Sequence, residues 1–331
     1  MEDFDELREQ TNRYPAFVIP HLLVRGLNLW YGPPKSNKTG LATALVYAAL
    51  TGRSFLGGQL TNADGAPTFT RVVILISEIG GERDYTQWLE ELGLTSARHL
   101  QVITMSRPWT LEEWGDLAQA LEADEETLII LDNLSASTDG SVTRDEDVKP
   151  AIQGMGQCLR SRAVGLILGH ATNSAMTEGG KPLGSTYIES AVRWLVEIRK
   201  PTKRDDTFCE LSARGNWGRS HKQTLERGER VAEWSVVDTK DADTLSREAG
   251  ETRKAKQRKT ADRNAEIADA VVANCQGMTK KETAAWISEQ RFPGGNGGTV
   301  SAATAEKNLS GDGKQYGSLL DHAGGKWSRR G

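Results

Sequence analysis

Three stretches of the chain are nearly unbroken aliphatic runs of strand length: Arg71–Ser77, Thr127–Leu131 and Gly165–Gly169. Runs this short, without polar alternation, suit strands covered on both faces, as in a parallel sheet. A fourth run, Leu27 to Tyr31, precedes a Pro/Gly-containing turn, and Gln101–Thr104 reads as a shorter strand. Segments of helical character separate them. These are Gly40–Leu50, a stretch from Gly80-Gly81 through Leu92, a helix opened by a Thr110/Glu113 capping box, and one from Asp145 to about Arg162. Weaker strand signals follow at Arg193–Ile198, Thr207–Ser212 and Val231–Val237. Repeated β-α units predict an α/β fold with a doubly wound, mostly parallel sheet.

Outside this alternation the pattern changes. Residues 1–26 read as a lead-in, a short acidic helix followed by an extended Tyr14–Pro20. Residues 239–263 turn polar and charged and read as a linker, so the large domain is expected over 1–238. Residues 264–331 predict a small, mainly helical, winged-helix-like domain. Its helices lie at Ala265–Cys275, Thr279–Glu289 and Ser301–Leu309, with a glycine-rich loop at 293–298 and a short helix and basic hairpin at 317–330.

The polar residues that close the apolar runs carry the chemistry. Ligands of doubly wound sheets sit at the carboxyl ends of the strands, where Gly32, Glu78, Asp132 and His170 all fall. Gly32-Pro33-Pro34-Lys35-Ser36-Asn37-Lys38-Thr39-Gly40 lies between a strand and a helix, the context of a phosphate-binding loop. Its backbone N–H groups would wrap the phosphates of a nucleotide, with the helix N-terminus behind them. Lys38 would reach the β- and γ-phosphates, and the Thr39 hydroxyl would ligate Mg²⁺. Asn37 stands where such loops usually carry glycine, and Asn is the non-glycine residue that enters the left-handed region most readily. Asp132 reads as the acid that holds Mg²⁺ near Thr39. Glu78 is the candidate that orients the attacking water, with helix capping as its structural alternative and Glu82 as a substitute. His170 can sense the γ-phosphate, or can simply be a strand-end histidine bonded to backbone. The expected ligands are ATP and Mg²⁺, with ATP preferred over other triphosphates by fold analogy only.

Charge adds an asymmetry that the net value of −4 conceals. Residues 1–250 hold 27 Lys and Arg against 36 Asp and Glu, whereas residues 251–331 hold 14 against 9. A basic tail on an acidic body points toward a nucleic-acid contact, or is an ordinary solvated surface. No run of about 18 apolar residues predicts a membrane span. The acidic N-terminus lacks the character of a signal peptide, and three scattered cysteines form neither a metal spacing nor a disulfide framework. A cytoplasmic protein is expected.

With Lys35 inside the loop, Tyr31–Thr39 resembles the phosphate loop of the RecA-like ATPases of plasmid RepA-type hexameric replicative helicases. Ser77-Glu78, Leu131-Asp132, Gly169–Asn173 and Gly184–Val192 are similar to that family's further landmarks in order and spacing. The resemblance covers residues 14–237. It implies a RecA-like domain, Glu78 as catalytic glutamate, His170 as sensor, an arginine finger from a neighbouring subunit, and loops after Asp132 and His170 that face single-stranded DNA in a ring. Two departures stand out. Gly169 and Ser174 replace a histidine and a lysine of the family pattern. Asn216 falls where the finger arginine is expected, which makes Arg214 the candidate, with Arg199 and Arg219 as alternatives. The channel loops offer few groups for DNA: Arg144, Lys181 and, for stacking, Tyr187. The implied partners are single-stranded DNA, other copies of the chain in a hexameric ring, and replication proteins, with no membrane. A recombinase-like or loader ATPase that does not unwind, or a nucleotide switch with little turnover, are the competing readings.

Overall fold

The computed structural model describes residues 3–5, 8–9, 16–121, 126–159, 163–172, 181–184, 186–201, 207–216, 220–292, 299–309 and 315–330. The chain divides into two compact units, Met1–Leu245 and Ser246–Gly331.

In the first unit a small hairpin, β1 (Phe17–Ile19) and β2 (Leu23–Val24), precedes β3 (Gly26–Gly32) and helix α1 (Lys38–Thr51). The alternation continues through β4 (Arg71–Ile76), α2 (Gly81–Glu91), β5 (Leu100–Thr104), α3 (Leu111–Ala120), β6 (Thr127–Asp132), α4 (Asp145–Cys158), β7 (Val164–His170), α5 (Thr186–Ala191) and β8 (Trp194–Arg199). Three further strands follow, β9 (Phe208–Gly215), β10 (His221–Arg227) and β11 (Trp234–Lys240). All except the first hairpin join one nine-stranded sheet in the order β11-β10-β9-β8-β3-β7-β6-β4-β5. The six strands from β8 to β5 are mutually parallel, and β9, β10 and β11 extend the sheet antiparallel on the β8 side.

The aliphatic runs have a direct cause. Val72, Ile74 and Ile76 face one core with Leu128, Ile130, Leu166 and Leu168, while Val73, Leu75, Ile129, Leu131 and Ile167 face a second core. With helices on both faces, neither side of a central strand can be polar. Helix α1 is buried almost all round, which is why its sequence shows no polar stripe. Strand β10 is not legible as a strand because His-Lys-Gln-Thr-Leu-Glu-Arg is polar, although His221, Gln223, Thr224 and Leu225 are all buried. The Thr110/Glu113 capping box is present at α3.

The second unit has its own core, including Ile267, Val271, Ala284, Ile287, Tyr316 and Trp327. It is built from most of α6 (Ala242–Asn274), α7 (Lys280–Glu289), α8 (Ala302–Leu309), a 3₁₀ turn at Gln315–Leu319 and the hairpin β12 (Leu320–Ala323) and β13 (Lys326–Arg329). The Thr279/Glu282 capping box opens α7. Gly324 and Gly325, both at positive φ, make the two-residue hairpin turn. Gln276 ties the hairpin to the end of α6, exchanging hydrogen bonds of 2.8 and 3.1 Å with the Trp327 backbone. One expectation differs from the structure. The charged stretch read as a linker is helical, lying within the 33 residues of α6, and every side chain from 251 to 262 is exposed. The glycine-rich loop at 293–298 lies outside the described residues.

Gly154, inside α4, tests the second core. An added methyl group there would overlap the indole of Trp114, which is fully buried. Glycine to alanine in a helix ordinarily stabilises by about 1 kcal/mol. Gly154→Ala is instead expected to destabilise by ~1–3 kcal/mol in urea unfolding, because overpacking outweighs helix propensity.

Candidate active site

Strand register brings the predicted residues to one edge of the sheet. Gly32 pairs with His170 across β3 and β7, Asp132 lies beside Leu168 of β7, and Ile76 pairs with Asp132 across β4 and β6. Glu78 follows two residues beyond Ile76. Strand β7 therefore separates the strand that leads into the loop from the strand that ends in Asp132.

The loop itself is tightly specified. A methyl group on Gly32 would overlap the Ile198 carbonyl of β8, so the position accepts only glycine. Lys35 and Asn37 both adopt left-handed backbone, Asn37 at φ 68° and ψ 21°. Asn37 thus takes up the conformation for which such loops usually carry glycine, and α1 starts immediately after it. Non-glycine residues held at positive φ are a form of strain that concentrates at functional sites.

Lys38 is buried, and its Nζ donates to the carbonyls of Gly32 at 3.1 Å and Pro33 at 2.9 Å. Burial pulls its ammonium down to about 8, against the upward pull of the Asp132 and Glu78 carboxylates. Thr39 Oγ1 donates to Asp132 Oδ2 at 3.0 Å, and Tyr85 of α2 donates its hydroxyl to the same oxygen at 3.0 Å. Burial pushes Asp132 up to about 6, the Thr39 and Tyr85 hydrogen bonds oppose this, and the charge of Glu78 adds to it. His170 is half-buried and its Nδ1 has no hydrogen-bond partner among the described residues, unlike a histidine placed to bond backbone. Burial lowers its pKa first, and the charge of Lys38 lowers it further. Glu78 is exposed and accepts a hydrogen bond from the side-chain amide of Asn133.

The donor set fits a nucleotide with a hard divalent cation. A hydroxyl and a carboxylate 3.0 Å apart beside a buried lysine match oxygen-preferring Mg²⁺ with retained waters. Ser36 Oγ and Asn37 Nδ2 are buried in the loop without a protein partner among the described residues, and so remain able to bond phosphate oxygens.

The structure does not bring Arg214 to this cluster. It sits on β9 opposite Leu195, where Nη2 donates to Glu189 of α5 at 3.3 Å and lies 3.5 Å from the Tyr31 hydroxyl. Arg199, its alternative, pairs with Glu210 at 3.3 Å. Arg219 and most of the loop after His170 (residues 173–180, including Asn173 and Ser174) lie outside the described residues. Of the channel-loop candidates, Arg144 is largely exposed and Lys181 is exposed, whereas Tyr187 packs against the second core under Lys149. Sequence reasoning missed Tyr85 and Asn133. Tyr85 occupies the inward stripe of an amphipathic helix, and only its hydroxyl distinguishes it from a core residue. Asn133 stands directly after Asp132, and that adjacency is its available signal.

Residues 2–176, more than half of the chain, match the family described as an AAA domain (AAA_25), and the chain belongs to that family. Among solved structures it is similar to the ATPase domain of G40P, with 10% identity over 72% of this chain and 100% of that one at a TM-score of 0.52. It also matches the RadB recombinase, with 15% identity over 67% of this chain and 93% of that one at a TM-score of 0.45. No curated protein matches it in sequence. The fold is RecA-like, a mostly parallel sheet between helices with a helical carboxyl-terminal region. No helix among the described residues is long and apolar enough to cross a membrane.

Asp132 has a folded-state pKa near 6 against an ordinary value of 3.8. Well below 3.8 the carboxyl is protonated in both states and costs nothing, and between the two values the unfolded state ionises while the folded state does not. As pH rises through 6 the folded state must bury a charge, so stability falls across that window. In metal-free buffer, Asp132→Asn is expected to stabilise the ligand-free protein by roughly 1–3 kcal/mol at pH 7.5 and to lose that gain at pH 4. Thermal unfolding at the two pH values measures it.

Proposed function

We propose that this protein is an ATP-driven translocase of the replicative DNA helicase type, which hydrolyses ATP while moving on single-stranded DNA as a ring of identical subunits. The observation that carries this reading is the grouping of Lys38, Thr39, Asp132, Glu78 and His170 at adjacent strand ends in a RecA-like sheet. The sequence landmarks shared with plasmid RepA-type helicases support its helicase part.

In the proposed reaction the loop N–H groups and the Lys38 ammonium bind the β- and γ-phosphates, with Lys38 exchanging its two carbonyl partners for phosphate oxygens. Mg²⁺, held by the Thr39 hydroxyl and through water by Asp132, would neutralise charge on the bridging phosphates. Glu78 orients a water in line with the leaving oxygen and accepts its proton as the new P–O bond forms and the β–γ bond breaks. His170, at the end of the strand between the loop and Asp132, reports the γ-phosphate to the chain that follows it. Arg214 would serve as the finger of a neighbouring site only after leaving Glu189 and Tyr31. Steady-state ATP hydrolysis with and without single-stranded DNA, using Lys38→Ala as the blank, tests the proposal. Stimulation by DNA together with displacement of a duplexed strand is expected. Stimulation without displacement would favour a DNA clamp or loader, and nucleotide binding indifferent to DNA would favour a switch. Glu78→Gln should retain ATP binding and lose ~100-fold or more in kcat.

The exposed turns of α6 supply cations that the channel loops lack. Arg253, Lys254, Lys256, Arg258 and Lys259 lie on a helical stretch whose side chains are all in solvent. Replacing these five with glutamine is expected to flatten the salt dependence of single-stranded DNA affinity, by up to ~0.7 in log–log slope for each phosphate that a side chain of this group neutralises. An unchanged slope in a fluorescence-anisotropy titration would remove α6 from the DNA-binding surface.

A further inference from the structure

Glu78 follows the end of β4 and is succeeded by Ile79, whose side chain is fully exposed, and by Gly80 at positive φ. Packing therefore fixes little of this segment, and a glutamate there has three side-chain torsions to order. Its one side-chain hydrogen-bond partner among the described residues is the Asn133 amide. Asn133 is held at every other polar atom. Its backbone N–H donates to Ser77 Oγ at 2.9 Å, and its carbonyl accepts from Ser77 Oγ at 2.9 Å and Ser137 Oγ at 2.7 Å. Its side-chain Oδ1 accepts from the Ala136 N–H at 3.1 Å. That last bond settles which way the amide points: with Oδ1 committed to Ala136, Nδ2 is the atom that faces Glu78.

We propose that Asn133 is a positioning residue for Glu78, an immobilised amide that holds the carboxylate in the orientation the attacking water requires and links it to the loop that begins at Asn133. The inference rests on the ATPase reading above. A flexible base must be ordered before it can act, and a rigid donor completes that ordering before substrate arrives. The link to the loop is covalent and short. The side chain that holds Glu78 also makes the Asn133–Ala136 turn, so a rearrangement of that turn moves the donor.

A double-mutant cycle on kcat tests this. Asn133→Ala is expected to reduce kcat by ~10-fold or more with the KM for ATP unchanged. In a Glu78→Gln background the same substitution should change the residual rate by less than about twofold, because its route of action is gone. Asn133→Asp keeps the acceptor for Ala136 and so preserves the turn, but it removes the donor. Its carboxylate also repels that of Glu78, so it should be at least as slow as Asn133→Ala when assayed at a pH where both carboxyls are ionised, while its circular dichroism spectrum matches that of the unaltered protein. An equal factor in both backgrounds, or a kcat unaffected by either substitution, would overturn the proposal. Absence of hydrolysis by the unaltered protein would instead overturn the ATPase reading, and this inference with it.

Discussion

The first unit is organised around two opposite charges that folding forces out of water. Lys38 and Asp132 are 8% and 9% exposed, and burial shifts each toward its neutral form. Neither is paired in the manner of a structural ion pair. The ammonium bonds two carbonyls of its own loop, and the carboxylate bonds two hydroxyls. Charges buried without an opposite charge in contact normally destabilise a protein. A chain that keeps both, each on neutral partners that a phosphate and a divalent cation can displace, is arranged for a ligand that supplies the missing counter-charges.

The remaining fold holds that arrangement in place. The closeness of β3 to β8 at Ile198 fixes the mouth of the loop, because only a glycine at position 32 leaves room for that carbonyl. Inserting β7 between β3 and β6 sets the spacing between the loop and Asp132, and it places His170 directly against Gly32. Tyr85 reaches Asp132 from α2, the helix that follows Glu78, so the segment carrying the candidate base is anchored to Asp132 at the end of β6 through one carboxylate oxygen.

Much of this is legible in the residues because buried parallel strands cannot disguise themselves. The runs ending at Glu78, Asp132 and His170 announce both the sheet and the edge that carries the candidate site, and Asn37 announces its left-handed backbone. What escapes is governed by context. Strand β10 is polar and is a strand because β9 and β11 flank it. The stretch from 251 to 262 has a composition typical of a linker, yet it is helical without burying any face. Its Ala, Arg, Lys and Gln residues are strong helix formers, and it is continuous with the packed turns after it, so it can stay helical without a buried face. Tyr85 and Asn133 escape because a hydrogen bond between distant segments leaves no period in the sequence.

The position after Asp132 shows how the two levels join. An asparagine there means that the strand ending in Asp132 offers no adjacent carboxylate, and the candidate base, Glu78, stands two residues beyond the end of β4. Its placement then depends on the register of β4 against β6, where Ile76 lies opposite Asp132. A slip of one residue would reverse every side chain of β4, turning Val73 and Leu75 into the core now filled by Val72, Ile74 and Ile76, so the hydrophobic pattern enforces the register strongly. The same alternation that builds the two cores thereby sets how far beyond Asp132 the Glu78 carboxylate stands. Asn133, tied to Ser77 just beyond that neighbouring strand through both its N–H and its carbonyl, closes the remaining gap. Core packing and site geometry are, at this strand pair, one constraint.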